Sequence, residues 1–63
     1  MPSITVKTLE GITIEQKRGL AKDITEAVVK NIGAPREAVT VDIIENSREN
    51  ISIGGQLFVD RGH

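Results

Sequence analysis

Met1-Pro2-Ser3-Ile4-Thr5-Val6-Lys7-Thr8 opens the chain. From Ser3 onward the side chains alternate. Ile4 and Val6 fall on one side, and Ser3, Thr5 and Lys7 on the other. A period of two over residues 3 to 8 predicts a half-buried strand. Leu9-Glu10-Gly11 ends it at a glycine turn. The proline in front of this strand has a second reading. A small residue after an initiator methionine commonly permits removal of that methionine. Pro2 would then carry a free secondary amine, and proline's usual loss of a backbone donor would not apply. An exposed α-amino group titrates near pH ~8. Apolar surroundings or a nearby cation lower that value, toward the range where a general base works best. Position alone favours the plainer reading, in which Pro2 is only the second residue of an ordinary chain.

Downstream of Gly11 the period changes. Thr13 followed by Gln16 is a capping-box pattern, and Glu15 suits the positive end of a helix dipole. Leu20, Ile24, Ala27, Val28 and Ile32 recur at three- and four-residue spacing, which predicts one apolar stripe. Lys17, Arg18, Lys22, Asp23, Glu26 and Lys30 fall mostly elsewhere. Gly19 costs up to ~1 kcal/mol relative to alanine in a helix interior and is read as a mark of close packing. Gly33 takes the helix-ending position, and Pro35 prevents continuation. Pro35 to Ala38 reads as a turn or one short helical turn. Val39 to Ile44 is a second strand, with Val39, Val41 and Ile43 on one face and Thr40, Asp42 and Ile44 on the other.

Strand, helix, strand is a βαβ unit with parallel strands. Its helix covers one sheet face and leaves Ile44 on the other without cover from this chain. Glu45 to Asn50 reads as a polar loop. Ile51 to Val59 reads as a short hairpin turning at Gly54-Gly55, and Asp60 to His63 as a polar tail. The expected fold class is α+β over residues 1–63 as one domain: a single βαβ unit with two parallel strands, a crossover helix and a short C-terminal hairpin.

Composition narrows the function. A 63-residue chain buries only ~60% of its unfolded surface. It has no cysteine and one histidine, at position 63, so disulfide and zinc staples are unsupported. Oligomerisation is the staple left. Eight basic residues balance nine acidic ones without a basic block, and Phe58 is the one aromatic residue. That composition argues against nucleic-acid binding. No apolar run reaches the ~20 residues of a membrane span, and no signal-peptide pattern opens the chain, so a cytoplasmic protein is expected. Ser3, Ser47 and Ser52 lack a histidine base. Gly54-Gly55 has no strand-to-helix context for a phosphate loop. Asp42 and Glu45 fall on opposite strand faces and do not make a carboxylate pair. Arg36, Arg48 and Arg61 suit either solvent, an interface ion pair or a carboxylate ligand.

The order of these motifs resembles the 4-oxalocrotonate tautomerase family across essentially the whole chain. The resemblance rests on Pro2 opening a strand, Leu9-Glu10-Gly11, Glu15-Gln16-Lys17 at the helix start, Ala34-Pro35 before a Val-x-Val strand, and Ile53-Gly54-Gly55. It implies a cofactor-independent isomerase assembled as a hexamer, a trimer of dimers, with no metal. It implies Pro2, after loss of Met1, as catalytic general base, and Leu9 lining the site through its backbone. The sequence departs from the family's best-studied members at three positions. Ile12 and Thr40 stand where they carry arginines, and Ile51 where they carry phenylalanine. Those arginines grip substrate carboxylates, and a bidentate arginine contact is stronger than a neutral hydrogen bond. Thr40 offers one neutral donor, and Ile51 keeps a wall apolar. Arg36, Lys7 or an arginine of a neighbouring chain would restore positive charge.

The leading expectation is a tautomerase acting on a small unsaturated 2-hydroxy or 2-oxo acid. Pro2 is its base, and Leu9, Thr40, Ile51 and Arg36 are its substrate-binding candidates. A lyase or hydratase on the same scaffold, and a non-catalytic subunit of a mixed oligomer, are the alternatives.

Overall fold

The computed structural model describes residues 1–61. Strand β1, Ser3–Leu9, pairs in parallel with β2, Thr40–Asn46, in register from Ser3 opposite Thr40 to Leu9 opposite Asn46. The ladder continues at both ends. The Thr40 N–H donates to the Pro2 carbonyl at 3.1 Å, and the Glu10 N–H to the Asn46 carbonyl at 2.9 Å. Between the strands runs α1, Ile14–Ile32. The expected capping box is formed: the Thr13 hydroxyl accepts from the Gln16 N–H at 3.1 Å, and the Gln16 side chain accepts from the Thr13 N–H at 2.8 Å. Gly33 ends the helix at φ 80°, its N–H donating to the Val29 carbonyl, a left-handed position that glycine takes without a Cβ penalty.

A short 3-10 turn, Arg36–Ala38, leads into β2, as the sequence predicts. Two short strands, β3 (Ser52–Ile53) and β4 (Gln56–Leu57), form the C-terminal hairpin. Gly54 and Gly55 have φ of 62° and 86°, the paired positive values that a two-residue hairpin turn requires.

Four expectations are corrected. The segment Glu45 to Asn50 is not all loop. Glu45 and Asn46 extend β2, because β1 offers ladder partners as far as Leu9, and Arg48–Asn50 forms a 3-10 turn capped by the Ser47 side chain. Phe58–Arg61 is a helical turn, α2, rather than the end of a hairpin arm and the start of a tail; Arg61 rests over the Phe58 ring. The inward stripe of α1 is Lys17, Leu20, Ala21, Ile24, Thr25, Val28 and Val29, all half-buried, while Ala27 and Ile32 are exposed. Finally, a Cβ placed on Gly19 meets nothing within 4 Å, so no close packing within the chain requires that glycine. His63 lies outside the described residues.

The helix covers one face of the ribbon. Ile4, Val6, Val41 and Ile43 are half-buried, while Ser3, Thr5, Lys7, Thr40, Asp42 and Ile44 on the opposite face are exposed. None of the described residues is fully buried, and Ile44, Ile53, Leu57 and Val59 are among the exposed apolar side chains. The radius of gyration is 15.0 Å, against about 11 Å for a compact domain of this length. The chain is a thin slab of 43 × 24 × 14 Å, one layer of helix on one layer of sheet.

A polar latch fixes the turn between β1 and α1. Glu45, on the helix-facing side of β2, is ion-paired with Lys17 and accepts from the Gly11 N–H at 3.2 Å. The Lys17 ammonium, then the Gly11 N–H, hold the Glu45 carboxyl below the usual carboxylate range. A second pair, between Glu26 on α1 and Arg36, ties the helix to the turn before β2, and the Arg36 guanidinium lowers the Glu26 carboxyl in the same way.

Two outcomes follow. A depressed folded pKa means the unfolded chain binds the extra proton first. The contribution of Glu45 is therefore complete at neutral pH and lost as the pH falls through the depressed value. Glu45→Gln lowers the thermal midpoint at pH 7, and scans at decreasing pH show the gap to wild type closing below the ordinary carboxylate range. Gly19→Ala raises stability by about 1 kcal/mol in urea titration. Destabilisation instead would place another chain against that part of α1.

Candidate active site

The ribbon separates the candidate residues into two groups. At its Ser3–Thr40 end stand Pro2, half-buried, and Thr40, exposed, joined by the 3.1 Å backbone hydrogen bond. Rigid proline geometry and this bond fix the Pro2 ring at the strand's entry. Arg36 is four residues before Thr40, but its guanidinium is engaged by Glu26, with Nη2 donating to Oε1 at 3.2 Å in addition to the closer Nη1 contact.

At the Leu9–Asn46 end lies a pocket of about 250 Å³, lined by Lys7, Thr8, Leu9, Asn46 and Ile51. Its geometry is built from three local devices. The parallel register brings Leu9 beside Asn46. Gly11, at φ 114°, turns the chain away after Glu10, and the Glu45 carboxylate holds that turn through the Gly11 N–H. Ile51 is positioned from the far side. The Asn50 N–H donates to the Ser47 carbonyl at 2.9 Å, and the Phe58 N–H to the Ile51 carbonyl at 2.9 Å, so the loop closes back on the strand end.

Of the sequence-derived candidates, then, Leu9 and Ile51 share a pocket, while Pro2 and Thr40 share the other end of the sheet. Seven residues of strand separate Pro2 from Leu9, roughly 23 Å at about 3.3 Å per residue. One copy of the chain does not bring all four together. Arg36 belongs to the Pro2 end and is ion-paired. Ile12 is half-buried just past the Gly11 turn and does not line the pocket. Sequence reasoning did not single out Thr8 or Asn46 as lining residues. Asn46 sits in a run of polar residues that masks its place on β2; the signal for it was the length of β1, which the partner strand matches.

Among the described residues no group of histidine, cysteine, aspartate and glutamate side chains is arranged to hold a metal ion, and no helix is long and apolar enough to cross a membrane.

Comparison with known proteins agrees with the architecture. Residues 2–61 match the family model described as Tautomerase enzyme. A probable tautomerase of Bradyrhizobium diazoefficiens is 48% identical over 61 residues, covering 97% of this chain and 91% of the relative. The 2-hydroxymuconate tautomerase of Bacillus subtilis is 43% identical over 60 residues, covering 95% and 97%. Among solved structures, a 4-oxalocrotonate tautomerase homologue superposes with a TM-score of 0.93 at 36% identity over the full length of both chains. The YwhB homologue of that enzyme gives 0.90 at 42% identity, covering 94% of this chain and 97% of its own. The βαβ unit with its glycine hairpin, the family match across nearly the whole chain and these relatives make the same assignment: the chain belongs to the tautomerase family of isomerases and has the fold of the 4-oxalocrotonate tautomerase homologues.

Proposed function

We propose that this chain catalyses enol–keto proton transfer on a small unsaturated 2-hydroxy or 2-oxo acid, with Pro2 as the general base. The observation that carries the reading is the setting of Pro2. Its carbonyl is anchored by Thr40, its ring is half-buried at the strand's entry, and the residue acylating its nitrogen, Met1, is 93% exposed. An exposed Met1 is open to an aminopeptidase. Its removal converts a tertiary amide without basicity into a secondary amine held in one orientation.

The chemistry needs one group that acts twice. The Pro2 amine takes the proton from the enol oxygen as electrons move toward the conjugated system. It then returns a proton to carbon as the ketone forms. Base and acid are the same nitrogen, no proton is gained or lost overall, and no redox partner is required. A rigid ring keeps the nitrogen aimed through both halves, which is the orientational part of catalysis. Thr40 supplies a neutral donor beside it.

The reading includes self-association. Pro2 and the Leu9–Ile51 pocket lie too far apart in one copy to act on one small molecule, so the site is completed between copies, Pro2 of one facing the pocket of another. The bare sheet face with Ile44, the exposed Ile53, Leu57 and Val59, and the absence of a fully buried residue among those described support an assembly, and a hexamer built as a trimer of dimers is the arrangement the family likeness favours. Within it, Leu9 and Ile51 provide an apolar wall. Arg36 serves a substrate carboxylate only by sharing its guanidinium with Glu26.

The experiment is ketonisation of a dienol dicarboxylate, 2-hydroxymuconate, and an enol monocarboxylate, phenylenolpyruvate, by wild type and Pro2→Ala, with intact mass confirming loss of Met1 in both. Turnover of the preferred substrate drops by at least about 100-fold in the variant, the scale of a lost general base. A protein extended at its N-terminus so that Pro2 stays acylated is equally inactive. Undiminished turnover by either protein rules out Pro2 as the base, and absence of turnover by processed, assembled wild type points to the non-catalytic subunit.

A further inference from the structure

The pocket at the Leu9–Asn46 end contains a single charged side chain. Of its lining residues Lys7, Thr8, Leu9, Asn46 and Ile51, Lys7 alone is ionic. The ion pairs among the described residues use Lys17 with Glu45, Arg18 with Glu15, and Arg36 with Glu26; none of them uses Lys7. Asp42 is exposed on the same face, but in register it stands opposite Thr5, whereas Lys7 stands opposite Ile44. Among the described residues Lys7 is thus a cation without a counter-ion, flanked on its own strand face by Leu9 and across the pocket by Ile51.

We propose that Lys7 is the carboxylate-binding residue of this pocket, and that the pocket takes a small monocarboxylate whose conjugated hydrocarbon part lies along Leu9 and Ile51. Its role in turnover rests on the tautomerase reading above; the binding claim does not. An ammonium is a compact point charge with three donors on a flexible stem, suited to one carboxylate rather than to a rigid bidentate pair. The pocket, at about 250 Å³, is at or below the small end of ligand sites, so it accommodates a short acid. The second carboxylate of a dicarboxylate would lie against Leu9 and Ile51 with no cation to meet it, and a buried unpaired charge is costly. Charge count in the pocket therefore selects for one carboxylate. Lys7 occupies neither of the two positions, Ile12 and Thr40, at which the best-studied relatives carry arginine.

The test separates binding from catalysis. Sorbate (2,4-hexadienoate), a conjugated six-carbon monocarboxylate without an enol, and its amide are titrated into isotope-labelled wild type, Lys7→Met, Lys7→Gln and Lys7→Arg at constant oligomeric state, following backbone amide shifts. Sorbate moves the amides of Leu9, Asn46 and Ile51. Its affinity falls about tenfold or more in Lys7→Met and Lys7→Gln, the loss expected for one charged hydrogen bond. Lys7→Arg retains affinity to within about threefold. The uncharged amide binds wild type and Lys7→Met alike. Equal sorbate affinity in wild type and Lys7→Met overturns the proposal. So does an equal loss for acid and amide, or a set of shifts away from these three residues. A failure of Pro2→Ala to alter turnover would remove the tautomerase reading and leave this binding result standing.

Discussion

A single amphipathic helix lies across a two-stranded parallel ribbon, and it has only one face to cover. Leu20, Ile24 and Val28 on α1 meet the side of the sheet that carries Ile4, Val6, Val41 and Ile43, where the residues are half-buried. The opposite side has no second layer. Apolar burial is the main favourable term in folding, and a thin slab offers too little of it, which is why no described residue is fully buried and the chain is more extended than a domain of its length should be. The composition removes the other staples, since there is no cysteine. What remains is contact with further copies, and the assembly proposed above divides its active site among its members.

The polar contacts have a different task. They contribute little stability individually, because exposed ion pairs are screened. They fix where the chain turns. Glu45 reaches from the end of β2 to Lys17 on α1 and to the Gly11 N–H, so that one carboxylate sets the exit of β1, the start of the helix and the rim of the pocket. Glu26 and Arg36 do the same at the other end of the helix. Such pairs between neighbouring elements hold geometry, while Ile44, Ile53, Leu57 and Val59 stay exposed.

Much of this was legible in the sequence where the signal is local. Thr13 and Gln16, Gly33 and the Gly54-Gly55 pair act through hydrogen bonds and backbone angles within a few residues, and each does what its pattern predicts. The alternation in β1 is equally direct. What was not legible depends on partners distant in sequence. Glu45 and Asn46 look like loop residues until the register with Thr8 and Leu9 extends the strand to them. Lys17 looks like part of a solvated face until Glu45 turns it inward, and this shifts the true helix stripe away from Ala27 and Ile32. Phe58 begins a helical turn even though its N–H donates to the Ile51 carbonyl, the next rung of the hairpin ladder. For the candidate site, the residue types at Pro2, Leu9, Thr40 and Ile51 were readable from the family likeness. Their separation along the ribbon was not, since spacing in one chain says nothing about which copy supplies each part.

The division of the site between copies is the claim on which the functional account turns, and mixing of subunits tests it most directly. Pro2→Ala removes the base and leaves the pocket; Ile51→Trp fills the pocket and leaves the base. If the two inactive proteins are unfolded, mixed and refolded, co-assembled species confirmed by native mass spectrometry contain some sites with an intact Pro2 facing an intact pocket. The account expects a substantial fraction of wild-type turnover to return in the mixture. Co-assembly without any recovery of turnover would contradict it, because both halves of the site would then have to come from the same chain.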